Sequence, residues 1–315
     1  MVVEFNAKKA FSVMDMIPAL KSRFEEVILA YAKYVLGEVD DTYLAKIIVT
    51  DNFVEDVQAF QREHLGGRTQ VTNNDYGRAM GKTIHSEKDD RHYIFLDAEY
   101  GSFLIDDEIF ATVFEKLDED VKQPMLAHRS KAINILAHEL EHYKFHMLFV
   151  DPEEDFSLSG QYRKLLLRMY NEYAACRNAM NVSTVAAIPY DEEYMQNIET
   201  FIMEQRSKYN HHQVSLDKFC SLFHQYTFQA LMNISANIGS KHGIGSDTAI
   251  FEHCLCGDII VKLEQGFAKA YDTAEAGKEI QFPETLIDWV SEYYACFRVY
   301  LEDTADGIYY DIPVC

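Results

Sequence analysis

The segment His138-Glu139-Leu140-Glu141-His142 has the residue types and the spacing of a metal site that activates water. An α-helix brings residues four positions apart to the same face, so the imidazoles of His138 and His142 can bind one ion. Glu139 follows the first histidine and lies where it can take a proton from a water molecule held by that ion. If the segment is helical, it predicts hydrolytic metal chemistry.

Apolar residues around this motif predict that it is helical. They recur at steps of three and four residues, at Ile133, Leu136, Leu140, Tyr143 and Met147. Such a stripe is typical of a helix with one face in the core, and here it runs beside the two histidines. The alternative is an ordinary amphipathic helix that carries both histidines on its surface.

A catalytic zinc ion normally has three protein ligands and one open position, so a third ligand is needed. His146 follows His138 by eight residues, which corresponds to roughly 12 Å along a straight helix. That distance is too long for two ligands that each bind the ion at about 2 Å. We therefore expect the third ligand on another element.

Glu172 is the best candidate for the third ligand. It interrupts the apolar stripe of a second predicted helix over residues 159–180, and a carboxylate on a core-facing stripe is costly unless it is paired or bound to a metal. The alternative is an ion pair with Arg168 or Lys164 at the edge of the stripe. The apolar residues of this stripe are Leu165, Leu166, Met169, Tyr173, Cys176 and Met180.

The HExxH segment, followed about thirty residues later by Glu-Tyr-Ala-Ala from position 172, resembles the gluzincin metallopeptidases. Within that group, the chain is similar over residues 90–180 to the compact ImmA/IrrE-type peptidases and, more distantly, to the Lit-type phage-exclusion proteases. The resemblance implies that His138, His142 and Glu172 bind zinc and that Glu139 is the catalytic base. We expect one zinc ion per chain, because the spacing offers one set of ligands.

The chain departs from this family at Cys176. Many relatives carry Asp or Asn four residues after the ligand glutamate, where it orients the first histidine. The resemblance therefore leaves the partner of His138 open, although such partners influence metal affinity and ring orientation.

A β-hairpin is predicted ahead of the motif. Two extended runs, at residues 76–85 and Arg91–Asp97, are separated by the polar turn Ser-Glu-Lys-Asp-Asp. In zincins, a strand at this position borders the cleft and pairs with the substrate backbone. The expected edge strand is Arg91–Asp97, and the alternative is an ordinary sheet edge without this role.

Composition limits the functional classes. The net charge of −22 argues against a nucleic-acid surface, because contact with phosphates needs clustered Lys and Arg. We also expect no membrane partner, because the start lacks a secretory signal and no apolar run approaches the roughly 20 residues that cross a bilayer. A cytoplasmic location follows as an expectation, with the six cysteines as free thiols.

A second zinc site is a weaker possibility in the sequence. His253, Cys254 and Cys256, with His242 upstream, carry suitable donors. The one-residue gap between the cysteines is not the usual spacing of a structural zinc site. His242 belongs to the only glycine-rich segment, 239–245, which we interpret as a flexible connector or as a loop that brings this histidine to the cleft.

The organisation predicted from these patterns is an α+β fold. A zincin-like catalytic core over residues 1–188 has a small sheet, the HExxH helix and the helix of the ligand glutamate, and a mainly helical region follows over residues 189–315. A short buried strand is expected at Ile47–Thr50. Helices are expected at residues 7–37, 52–64, 105–120, 129–148, 159–180, 190–208, 214–237, 247–272 and 284–301.

The leading hypothesis is a zinc-dependent peptidase that acts on a protein or peptide substrate in the cytoplasm. Its ligands are His138, His142 and Glu172, and Glu139 is the general base. The alternative is a non-catalytic zincin-like sensor or binding module, and a metal-free helical scaffold comes third. The sequence gives neither the natural substrate nor the oligomeric state.

Overall fold

The protein has a mixed α+β structure in which helices predominate, which confirms the α+β class but not the zincin-like core. The computed structural model describes residues 1–7, 18–67, 71, 73–74, 77–184, 192–305 and 307–313. The strands are β1 (Val2–Asn6), β2 (Leu44–Thr50), β3 (Asn73–Asn74), β4 (Gly77–Arg78), β5 (Gly81–Ser86), β6 (Arg91–Asp97), β7 (Tyr300–Thr304) and β8 (Gly307–Asp311). The helices are α1 (Pro18–Leu36), α2 (Phe53–His64), α3 (Ala98–Gly101), α4 (Asp107–Phe114), α5 (Glu119–Leu148), α6 (Leu158–Val182), α7 (Glu192–Asn210), α8 (Leu216–Gly243), α9 (Gly257–Thr273) and α10 (Glu284–Cys296).

The chain forms two compact units. The first comprises Met1–Met147 with Asn178–Ala186, and the second comprises Leu148–Arg177 with Ala187–Cys315. Compared with the expected division after residue 188, this grouping assigns residues 148–177 to the second unit. Helix α6 contributes residues to both units.

A four-stranded sheet with the order β1-β2-β6-β5 organises the first unit. Strands β1, β2 and β6 are parallel, and β5 pairs with β6 in the antiparallel direction. The expected strand at 47–50 and the expected hairpin are therefore present, although Tyr76 lies outside the described residues. Strand β2 is rich in β-branched residues and buried on both faces, as is typical of the interior of a parallel sheet.

Alternate residues of the sheet pack into two separate cores, one on each face. Phe53 and Val57 of α2 pack against Ile84 and Phe95 on one face. On the other face, α1 and α5 pack against residues such as Ile94. The period of two residues along each strand produces this division.

Helix α5 buries the stripe that the sequence predicts. Leu136, Leu140 and Tyr143 are inaccessible to solvent. The helix begins at Glu119, ten residues before the predicted start at 129. Pro124 lies within this additional stretch of helix and lacks the N–H that an interior turn needs. Because Pro124 is near the start of the helix, its missing N–H removes one hydrogen bond, and the helix continues through the proline.

The second unit is mainly helical and has an aromatic core. Trp289, Tyr293 and Phe297 are buried in and directly after α10, and the indole Nε1 of Trp289 donates to the carbonyl of Ile259 in α9 at 2.7 Å. Strands β7 and β8 form an antiparallel hairpin. The predicted helix over 284–301 is therefore too long, since α10 ends at Cys296. The dipeptide Asp-Gly at 306–307 is a turn signal that favours a hairpin there.

Other differences concern element boundaries. Helix α9 begins at Gly257, although the helical pattern was expected from 247. Helix α8 continues through Gly239 to Gly243, so the interpretation of 239–245 as a flexible connector is wrong for most of that segment. In the predicted helix 7–37, residues 8–17 lie outside the described residues, and α1 accounts for the remainder. None of the described helices is both apolar enough and long enough to cross a lipid bilayer.

Gly239 allows a close approach of α8 to α6 within the second unit. A Cβ atom at this position would lie 2.2 Å from the carbonyl oxygen of Tyr173 and 3.1 Å from the Cβ of Cys176. Real Cβ atoms do not approach a backbone oxygen so closely, so any larger residue would push the two helices apart.

We expect Gly239→Ala to lower the free energy of unfolding by up to about 2 kcal/mol, because overpacking usually costs about 1–3 kcal/mol and alanine in a helix interior returns about 1 kcal/mol of this. Urea denaturation measures the difference. Gly266→Ala in α9 is the matched control, because its Cβ would meet only the flexible end of Leu286, at 2.9 Å. A Gly239→Ala variant at least as stable as the control would contradict this account.

Candidate metal centre

Helix α5 presents the two motif histidines side by side. The Nε2 atoms of His138 and His142 are 3.0 Å apart, and the rings are nearly perpendicular, at 85°. Two nitrogens that each lie about 2.05 Å from a tetrahedral zinc ion are about 3.3 Å apart. The pair is therefore close to the spacing that one ion requires.

Glu172 on α6 completes a set of three metal-ligating groups. One ligand atom from each of His138, His142 and Glu172 lies within 4.8 Å of the other two, and each side chain is half-buried. Two imidazoles and one carboxylate are a donor set that zinc accepts in catalytic sites. The three residues that the sequence predicts as ligands are thus brought together.

Hydrogen bonds join α5 to the last turns of α6 within the first unit. The amide of Asn178 donates to Oε2 of Glu141 at 2.8 Å, and the amide of Asn134 donates to the carbonyl of Ser183 at 3.0 Å. Glu172 precedes Asn178 by six residues on the same helix, which corresponds to about 9 Å. These bonds hold the part of α6 that follows the candidate ligand.

Glu139 lies against strand β5, where two residues that the sequence did not single out surround it. Its side chain is 6% exposed. The hydroxyl of Thr83 lies 2.8 Å from its Oε2 atom and can donate to it. A Cβ atom at Gly81 would lie 2.7 Å from both Cγ and Oε1 of Glu139. Residue 81 is therefore restricted to glycine while the carboxylate keeps this position.

The expectation that Arg91–Asp97 forms the edge of the sheet is wrong. This strand is β6, which pairs with β2 on one side and with β5 on the other. The edge is β5, the first strand of the hairpin, and Gly81 and Thr83 belong to it. Periodicity identified both strands, but the strand order depends on pairing with β2, which is distant in the chain.

Cys176 lies one helical turn after Glu172 and faces it. Its Sγ atom lies 3.8 Å from Oε1 of that carboxylate. A thiol is a weak donor, so at this distance it contributes little to the orientation of the ligand. The sequence predicted neither this contact nor a partner for His138.

His242 has a structural role in the second unit. The hydroxyl of Tyr173 lies 2.8 Å from its Nδ1 atom, and Oε1 of Glu264 lies 2.9 Å from its Nε2 atom. Burial raises the pKa of Tyr173 to about 12, so the phenol keeps its proton and donates it to Nδ1. Both ring nitrogens are therefore engaged, and the alternative in which His242 reaches the cleft as a loop residue is not supported.

The residues suspected of a second zinc site do not come together. Within the described part of the chain, the set of His138, His142 and Glu172 is the one group of three such side chains that meets around a point. A hydrogen bond to Cys296 and burial raise the pKa of the Cys256 thiol. This favours the neutral thiol, whereas metal binding needs the thiolate.

Comparisons with known proteins do not assign the chain to a family. A scan against models of protein families and searches of curated proteins and of solved structures found no match. The interpretation of the centre therefore depends on the residues themselves and on their positions in the fold.

We expect the purified chain to keep about one zinc ion after desalting, because it offers one set of three converging ligands. His138→Ala and His142→Ala should each lose this ion. The double variant Cys254→Ser/Cys256→Ser is the control and should keep it, since these thiols do not join the set. Elemental analysis by mass spectrometry measures the metal content. Full zinc content in both histidine variants would refute the site.

Glu172→Ala tests the candidate ligand on α6, which only the tertiary structure brings to the two histidines of α5. Zinc affinity should fall by at least the roughly 10–100-fold that follows even from loss of a group that only orients a ligand, as measured by competition with a chelator. Without metal, the variant should be no less stable than the wild type, because a partly buried carboxylate is removed.

Arg168→Ala and Lys164→Ala are the controls for this experiment. If Glu172 only formed a surface ion pair with one of them, all three variants would lose at most about 1 kcal/mol of stability and none would lose zinc. Unchanged zinc affinity in Glu172→Ala would place the third ligand elsewhere.

Proposed function

We propose that this protein is a zinc-dependent peptidase with a zincin-like catalytic core. The observation that carries the proposal is the convergence of ligand atoms of His138, His142 and Glu172 within 4.8 Å. Glu139 directly follows the first of these histidines in the chain and contacts strand β5 through Thr83. The carboxylate of Glu139 belongs to the same helix as the two histidines. A site that only bound metal for stability would not need this glutamate beside its first ligand.

Glu139 is the proton carrier in this proposal. A zinc ion bound by the three ligands would supply Lewis acidity that polarises both a water molecule and the scissile carbonyl. Glu139 would accept the proton of that water and pass it to the leaving amine. Thr83, through its bond to Oε2, and Gly81, through its lack of a side chain, would keep the carboxylate in position.

Strand β5 offers backbone groups that an extended peptide can pair with. The N–H of Asp97 donates to the carbonyl of Met80, so the pair 80/97 is hydrogen-bonded, and such pairs alternate along an antiparallel ladder. In this register, the N–H and C=O groups of Gly81, Thr83 and His85 point away from β6. Among the described strands, β5 pairs only with β6, so this edge is open to a substrate strand.

Two of these edge residues also face the proposed base. Gly81 and Thr83 face Glu139, while Ile84 packs on the opposite face of the sheet. A peptide that adds to β5 would therefore run beside the proposed base. This arrangement favours a protein or peptide substrate.

Charge and cysteine chemistry support the remaining parts of the proposal. The net charge of −22 disfavours a nucleic-acid substrate. The described cysteines form no disulfide, as is usual in a reducing compartment, and this supports a cytoplasmic location. They are Cys176, Cys220, Cys254, Cys256 and Cys296, and Cys315 lies outside the described residues.

A non-catalytic metal-binding module is the second candidate function. The observation that favours it is the burial of Glu139, whose side chain is 6% exposed and bonded to Thr83. In this case the glutamate would hold β5 against α5 without transferring a proton. The two candidates differ in what the carboxylate does, so one substitution separates them.

Glu139→Gln preserves size but cannot act as a base. With a peptide library prepared from digested cell protein and read by mass spectrometry, we expect the zinc-loaded wild type to produce new termini and this variant to be slower by roughly 10²–10⁴-fold. Zinc content and melting temperature should stay close to those of the wild type.

Glu141→Gln is the matched control, since Glu141 is the other glutamate of the motif and bonds to Lys144 and Asn178 instead. It should lose some stability and keep the activity. A wild-type, zinc-loaded protein that cleaves nothing in the library would favour the binding module. Equal cleavage by wild type and Glu139→Gln would refute the assigned base.

A further inference from the structure

Three histidines from three elements lie near one another on the α5 side of the sheet, apart from the proposed zinc ligands. The ring centroids of His85 (β5) and His92 (β6) are 4.7 Å apart, and those of His92 and His146 (α5) are 5.6 Å apart. His85 and His92 are directly opposite in the ladder. Hydrogen-bonded and non-hydrogen-bonded pairs alternate between β5 and β6, and the pair of His85 and His92 is non-hydrogen-bonded. In such pairs the two side chains are closest.

His92 is buried without any hydrogen-bond partner for its ring. The residue is 7% exposed, and neither Nδ1 nor Nε2 is hydrogen-bonded. A neutral imidazole has one donor and one acceptor, and leaving such a group unsatisfied in the interior costs about 1–3 kcal/mol. This arrangement points to a ligand that takes the lone pair of the ring.

The neighbourhood of His92 suits a metal ion. Burial, together with His146 and His85, lowers the pKa of His92 to about 4, so the ring is neutral at pH 7, as metal binding requires. The side chain of His85 is 45% exposed and His146 is also exposed, so an ion has access from solvent. The ring of Tyr143 covers the inner side of His92 edge-on, with centroids 5.0 Å apart.

Asp90 orients His85 in the way that is common around metal ligands. Its Oδ1 atom lies 2.9 Å from Nε2 of His85. A carboxylate can only accept, so Nε2 carries the proton and Nδ1 keeps its lone pair. A carboxylate bonded to the distal nitrogen of a ligating imidazole fixes its tautomer and strengthens the metal bond.

We propose that His85, His92 and His146 form a second metal site, for Zn²⁺ or another divalent transition metal that prefers imidazole. No nitrogens of these three rings all lie within 4.8 Å of one another, so a rotation of the exposed His146 ring completes the site while His85 keeps its bond to Asp90. This reorganisation makes the site weaker than the centre at His138, His142 and Glu172. The inference does not depend on the proposed peptidase function, because the proposed zinc ligands and the proposed base take no part in it.

The test is a titration with Zn²⁺ by calorimetry in the double variant His138→Ala/His142→Ala, which removes the first centre. We expect one equivalent to bind. Adding His85→Gln or His146→Gln should weaken binding at least tenfold, and Asp90→Asn should weaken it by about 10–100-fold, the usual effect of losing such a partner. These residues are exposed, so the substitutions leave the core intact.

His128→Gln is the matched control. His128 is another exposed histidine of α5, with its Nδ1 atom 2.8 Å from the carbonyl of Pro124, and its loss should not change zinc binding. In a second measurement, the ring nitrogen resonances of His92 should shift when Zn²⁺ is added.

Three results would overturn the inference: no zinc binding in the double variant, binding that survives both His85→Gln and His146→Gln, or a His92 ring that does not respond to zinc. In the last case a buried water molecule would satisfy the ring.

Discussion

The candidate site depends on how α5 is rotated about its own axis where it packs on the sheet. At about 100° per residue, Glu139 lies about 60° from Leu136 on one side and about 60° from His142 on the other. With Leu136 in the core, Glu139 necessarily meets the sheet edge and His142 faces away from the core. Fully burying a leucine contributes about 1.5–3 kcal/mol, and both Leu136 and Leu140 are inaccessible to solvent. Core packing thus sets the direction of the polar groups.

Strand β5 is built to receive the carboxylate that this rotation directs toward it. The hydroxyl of Thr83 lies 2.8 Å from Oε2 and 2.8 Å from the backbone carbonyl oxygen of Glu139, and it can donate its one proton to either. Gly81 supplies the space, since a Cβ there would collide with the same side chain. These two residues also have their N–H and C=O groups on the edge of the sheet that no other described strand pairs with. In the proposed function, the base and the backbone that binds the substrate are therefore positioned by the same short strand.

The sequence predicts the parts of this site that local periodicity determines. The spacing of His138 and His142 within one helix needs no tertiary information, and α5 carries them as expected. The position of Glu172 was inferred from a broken apolar stripe, which reports burial but not the partner. The roles of Gly81 and Thr83 could not be inferred in this way, because they follow from the strand order β1-β2-β6-β5. The glycines of 239–245 indicated a loop, although packing against α6 retains α8 as a helix there.

The packing of α8 at Gly239 helps to explain how Glu172 is held. The Cys176 thiol lies 3.8 Å from Oε1 of Glu172 and is a weak donor, so it adds little. The backbone of the same turn is held more firmly. The carbonyl of Tyr173 fits against Gly239, and the hydroxyl of Tyr173 is bonded to His242 and to Arg177. In this chain, helix packing and a buried polar network around Tyr173 therefore constrain the turn of α6 that carries the candidate ligand, and they do so through the residues that follow it.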